Sequence, residues 1–185
     1  MDKLILLEEI IGDRQIPADD EYDNNPTNIT DIIFKSETTY HYPHYTTNRH
    51  GMSYTDVNGL SIFIGGEHED YYDPNFCIYN DVITIDKDDN IKIYAYPKNI
   101  FPPTDFHYSI YVNGYIWIFG SIGYQEDRKQ FIQICRLEVE TMKMENMNNS
   151  SGPLWLWFKS TKPTFHENMV KINEYTYDLV KMTWI

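Results

Sequence analysis

The apolar positions of this chain fall in short β-branched and aromatic runs cut off by turn residues. Leu60–Ile64, Val82–Ile85, Ile91–Tyr96, Ser109–Val112, Tyr115–Phe119 and Ile132–Val139 are bounded by Gly, Asn, Asp or Pro, which predicts strands. Asn58-Gly59 and Asn113-Gly114 separate paired runs. Both residues of such a pair take positive φ at low cost, so each pair predicts a type I′ hairpin. Asp86–Asn90 and Glu140–Lys143 predict the longer polar loops of two further hairpins. No segment carries a convincing 3.6-residue period. Leu4–Ile11 has a faint one and is read as a strand.

The runs repeat. Met52 to Gly66 reads apolar strand, polar turn, apolar strand, glycine. Tyr108 to Gly120 repeats it and Met169–Val180 is a degenerate third copy, a spacing of about 57 residues. Such repeats mean one supersecondary unit stacked on copies of itself. Residues 50–97 and 107–157 each hold two hairpins, hence about four strands. Residues 1–43 read as a unit with a degenerate first half: Leu4–Ile11, a polar loop, then Asp31–Phe34 and Thr38–Tyr42. Residues 165–185 read as the first hairpin of a fourth unit, with Asn173-Glu174 as a weaker turn. The pairs Tyr40/Tyr42, Tyr94/Tyr96 and Trp155/Trp157 each put two rings on one strand face. Packing between neighbouring sheets is their expected use.

Phe106-His107 through Phe119-Gly120, with Phe101-Pro-Pro103 upstream, resembles a kelch repeat, and so does Val57-Asn-Gly59 through Ile64-Gly-Gly66. The resemblance covers residues 50–157 well and both ends poorly. Gly120-Ser121 stands where the first copy has a double glycine. It implies an all-β fold: a small or incomplete kelch-like β-propeller of antiparallel four-stranded blades, about three to four units in a single domain over 1–185. His50, His107 and His166 recur near the histidine-led position of the repeat. That recurrence implies a structural ring nitrogen bonded to a neighbouring blade's backbone.

Charge narrows the partners. The net charge is -13, from 28 acidic and 15 basic residues. Repulsion argues against tracking nucleic-acid phosphates or binding an anionic membrane, and favours a basic partner. Aromatic residues make up 16% of the chain, and Tyr offers an apolar body with a polar tip at a contact surface. Cys77 and Cys135 lie in different units without metal-ligand spacing, so buried thiols in a reducing compartment are expected. Met1–Ile11 is too short and too acidic for a secretory signal, and no stretch reaches a membrane span of ~20 apolar residues. The cytoplasm is the expected location.

Two clusters carry candidate chemistry. Glu67, Glu69, Asp70, Tyr71, Tyr72 and Asp73 follow Gly66 directly, and this mix of carboxylates and tyrosines suits contact with a basic protein. Asp86, Asp88 and Asp89 add outlying charge. His41, His44 and His50 are weak candidates for a zinc site, because their recurrence at the repeat period favours structure over ligation. No nucleophile elbow, phosphate loop or dinucleotide fingerprint is present, so neither catalysis nor a cofactor is expected. The function expected is a non-catalytic, acidic protein-binding module, with a toxin-neutralising immunity protein as its concrete form. A carbohydrate-binding or carbohydrate-active propeller is one alternative. A subunit that completes a larger propeller as a homo-oligomer is another.

Overall fold

A computed structural model of the chain describes residues 27–28, 49–68, 76–120, 123–147, 151–154 and 163–185. These residues form antiparallel sheets, and one 3-10 turn, Gln125–Asp127, is the only helical element among them. The first sheet is a meander of β2 (Ser53–Val57), β3 (Leu60–Ile64), β6 (Asp81–Ile85) and β7 (Ile91–Ala95), with β1 (Thr27–Asn28) paired outside β7. A small hairpin, β4 (Glu67–His68) and β5 (Cys77–Ile78), lies between β3 and β6 in the chain. The second sheet runs β8 (Tyr108–Val112), β9 (Tyr115–Phe119), β10 (Ile134–Glu138), β11 (Lys143–Asn146). The third runs β12 (Thr164–His166), β13 (Met169–Ile172), β14 (Tyr175–Asp178), β15 (Thr183–Trp184).

The turn chemistry explains the meanders. Asn58 and Gly59 have φ of 55° and 82°, and Asn113 and Gly114 have 50° and 87°, the sign at both positions that a type I′ turn requires. The C-terminal segment departs from its sequence reading. It holds a full four-stranded sheet, not one hairpin. The side chains of Asn113 and Asn168 meet at 3.5 Å, which sets the β12–β13 turn beside the β8–β9 turn. Met169–Ile172 and Tyr175–Asp178 are therefore the second and third strands of their sheet. The turn that precedes them, Glu167-Asn168, has no glycine, yet Glu167 takes φ of 54°.

Alternation along each strand makes two cores. On β9, Ile116 and Ile118 face the first sheet, packing with Ile62, Ile64, Val82, Leu137 and Met144. Trp117 and Phe119 face the other way, onto Val170, Ile172 and Tyr177 of the third sheet. Each such side chain contributes roughly 1.5–3 kcal/mol on burial. Tyr177 meets Trp117, Phe119 and Trp184 edge-on, at centroid distances of 5.9, 5.8 and 5.0 Å. Tyr96 serves the first core as the aromatic pairs were expected to: its ring stands edge-on to Phe101 and its hydroxyl donates to the Met142 carbonyl at 2.7 Å. Cys77 and Cys135 are both buried and form no disulfide, and burial pushes the Cys135 thiol up to about 12.

The two end faces of the stack differ. The outer face of the third sheet presents the register-matched Thr164 with Lys171, and His166 with Thr183 across the sheet, all exposed. The outer face of the first sheet carries one apolar row, Tyr54, Phe63, Ile83 and Ile93, and a second row that runs from Ile91 and Ile85 to Ser61 and Asp56. Ile83 and Ile93 are buried, whereas Tyr54 and Ile91 are exposed. Among the described residues, buried clusters join the first sheet to the second and the second to the third only. No helix among them is long and apolar enough to cross a membrane.

Candidate binding surface at the loop end of the sheets

The chain leaves β3 for β6, and β7 for β8, at the same end of the stack. There the connections are bonded to one another. Gly66 N–H donates to the Thr104 carbonyl at 2.8 Å, and Thr104 N–H to the Tyr79 carbonyl at 3.1 Å. Glu67 and His50 exchange backbone bonds at 2.8 and 2.9 Å, and Phe106 N–H reaches the Gly51 carbonyl at 2.8 Å. The β9–β10 connection joins in: the Tyr124 hydroxyl accepts from Ile78 N–H at 2.7 Å. The double glycine makes this closeness achievable. Gly65 and Gly66 have φ of 57° and 94°, and a Cβ on Gly65 would stand 2.3 Å from the Thr104 carbonyl oxygen.

Beneath these connections lies a buried ion pair. The Arg49 guanidinium grips Asp81 through both nitrogens, at 2.5 and 3.0 Å, and donates to the Gly65 carbonyl at 3.0 Å. It also stacks over the Tyr79 ring, 3.5 Å from the centroid. Both charged side chains are at most 1% exposed. Pairing, stacking and carbonyl contact together offset the cost of taking the two charges out of water. Burial drives the Tyr79 hydroxyl well above the usual phenol range. Tyr79 is therefore neutral at ordinary pH.

His107 immediately precedes β8, the first strand of the second sheet. Its Nε2 meets the Ser53 hydroxyl of β2 at 2.7 Å, and Nδ1 is buried without a hydrogen-bond partner. Burial lowers its pKa to about 4, so the ring is neutral. The expectation of a structural histidine holds here, but its partner is a side-chain hydroxyl and not backbone. His50 and His166 are exposed, so the repeat position does not give all three the same surroundings. Nearby, Asp105 is 1% exposed, and its Oδ1 accepts Gly123 N–H at 2.5 Å.

Of the residues singled out for partner binding, Glu67 sits on this surface, half-buried, at the start of β4. Glu69, Asp70, Tyr71, Tyr72 and Asp73 lie outside the described residues, as do His41 and His44 and the strands expected at Leu4–Ile11, Asp31–Phe34 and Thr38–Tyr42. The pair Trp155/Trp157 lies outside them too. Asp86, Asp88 and Asp89 are not brought together with Glu67. They occupy the β6–β7 turn, one strand length of roughly 16 Å away. Asp86 accepts from the Asp88 and Asn90 backbone at 2.9 Å each and from the Asn90 amide. Those bonds hold its carboxyl below the usual range. Among the described residues, no group of three or more His, Cys, Asp or Glu stands close enough to hold a metal ion. Of the described residues between Gly66 and Asn80, Gly66 and Cys77 through Asn80 are buried, and Glu67, His68 and Phe76 are half-buried.

Sequence reasoning missed Arg49, Asp81 and Asp105. Their partners are distant in the chain, and only the double glycine marked the place where the connections would meet. Fold and surface together define an all-β protein of stacked four-stranded meanders, whose connections at one end are tied into a single polar platform. No family model matches the chain, and no curated protein matches it.

Proposed function

We propose that this chain is a non-catalytic, acidic protein-binding module whose meanders are kelch-like propeller blades, and that it binds a basic partner protein through the loop-end surface. An immunity-type neutraliser of a basic toxin is the concrete form. The observation that supports this reading most is the bonded platform itself. Glu67, which opens the acidic segment Glu67–Asp73, is fixed by His50 and Ile78 on either side of its strand. A rigid base lowers the ordering cost of association, and a net charge of -13 steers a cationic partner toward the acidic segment.

The test is affinity capture from the native cells with two baits, the wild type and a variant carrying Glu67→Gln, Glu69→Gln, Asp70→Asn and Asp73→Asn. The reading expects one basic protein held by the wild type, less tightly as salt rises, and bound at least tenfold more weakly by the variant. Recovery of no basic protein at either low or moderate salt, or equal retention by both baits, refutes it.

A further inference from the structure

The connection from β7 to β8 buries a carboxyl group next to another one. Asp105 is 1% exposed, with Oδ1 on the Gly123 N–H at 2.5 Å. Its Oδ2 is buried and receives no N–H or O–H from the ordinary donors of the protein. The carboxyl of Glu67 lies within hydrogen-bonding reach of Asp105. The backbone sets this up: Gly66 N–H on the Thr104 carbonyl, at 2.8 Å, lays the two segments side by side one residue before each carboxyl. An ionised pair would place acceptor against acceptor and charge against like charge. A single proton turns the same geometry into an O–H···O⁻ bond, among the shortest and strongest that side chains make.

We propose that Glu67 and Asp105 hold one proton between them and form a pH-sensitive joint that ties the first sheet's β4–β5 hairpin to the connection entering the second sheet. This goes beyond the partner-binding reading and does not depend on it. Among the described residues, the charged groups that act on Asp105 include Glu67 from β4 and Arg128 from the segment after the 3-10 turn. Burial, the largest influence, pushes the Asp105 carboxyl above the usual range. The Gly123 N–H, the Glu67 hydrogen bond, its own backbone N–H and the Arg128 charge pull the other way. The proton comes from solvent and returns to it as pH rises, leaving two carboxylates and no bond between them. Asp105 binds its proton more tightly folded than unfolded. The joint's stabilisation is therefore complete below the ordinary Asp value and is lost as pH rises through the raised one.

Carboxyl ¹³C NMR of the whole chain tests this directly. In the wild type, Glu67 and Asp105 should each titrate in two shared steps, with the Asp105 midpoint above the ordinary carboxylate range. Glu67→Gln should leave Asp105 a single step. Asp105→Asn keeps an acceptor for Gly123 and gains a donor toward Glu67. It should abolish the loss of thermal stability as pH rises above the ordinary Asp value, and raise the melting temperature at neutral pH. Independent single-step titration of the two carboxyls in the wild type overturns the proposal, as does an Asp105 midpoint in the ordinary range. A wild-type pH decline retained by a folded Asp105→Asn protein also overturns it. Glu67 is half-buried, so the Glu67→Gln arm decides the matter if Asp105→Asn does not fold.

Discussion

His107 and Asp105 lie two residues apart and answer pH in opposite senses. His107 has a folded pKa of about 4, below the ordinary value of roughly 6.5. The unfolded chain therefore takes up a proton first as pH falls. Stability from this residue is complete above the ordinary His value and declines toward the folded one, by about 3 kcal/mol in all. Urea unfolding at pH 7 and at pH 4.5 should show most of that loss in the wild type and little in His107→Gln, where the amide can still bond Ser53. Equal losses in both proteins would remove His107 as the cause. The histidine was legible as structural from its place in the repeat. Its Ser53 partner was not, because Ser53 belongs to the preceding sheet and sits 54 residues away. Arg49 was legible least of all. A lone arginine in a polar stretch gives no sign that it will be buried against Asp81, a residue 32 positions on.

Turns decided how much of each element could be read in advance. Asn58-Gly59 and Asn113-Gly114 announce their hairpins because glycine and asparagine tolerate positive φ; Leu60–Ile64 and Tyr115–Phe119 begin and end where the sequence places them, and β8 starts one residue before the expected Ser109. Glu167-Asn168 makes an equivalent turn with a residue that pays strain for it, so no local signal marks β12, and the sequence pattern shows only part of the third sheet. The double glycine is a different matter, since its role is spatial. Gly65→Ala would set a methyl 2.3 Å from the Thr104 carbonyl oxygen; we expect a loss of roughly 2–4 kcal/mol. Gly114 also has positive φ, but a Cβ there meets nothing within 4 Å. Gly114→Ala should thus cost only about 1 kcal/mol, for backbone strain alone. Equilibrium denaturation of the two variants side by side checks the contrast, and equal costs would show that φ and not closeness matters at Gly65.

At the scale of the molecule, the described sheets end on one polar face and one with an apolar row. The outer face of the third sheet is mostly polar, with Thr164, His166, Lys171 and Thr183 exposed around Met169. The outer face of the first sheet still exposes Tyr54 at 59% and Ile91 at 40%. If a second copy covers that face, sedimentation should show a concentration-dependent dimer that Tyr54→Lys with Ile91→Lys converts to monomer. A wild type that sediments as monomer throughout would show that the residual exposure is not an interface between copies. The acidic residues are divided along the strands instead. Glu67 stands at the loop end and Asp86, Asp88 and Asp89 at the other, so charge that is dense in sequence is separated by the length of a strand.

By itself the sequence determined that the protein is all-β, that its middle holds repeated meanders, and where most hairpins turn. Those properties follow from alternation and turn chemistry, which act over a few residues. Tertiary structure alone decided that the C-terminal residues complete a third sheet. It also decided that a buried Arg49–Asp81 pair underlies the loop end, and that Asp105 is sealed in beside Glu67. These depend on which distant segments meet and on how thoroughly water is excluded there, and neither is written in any local run of residues.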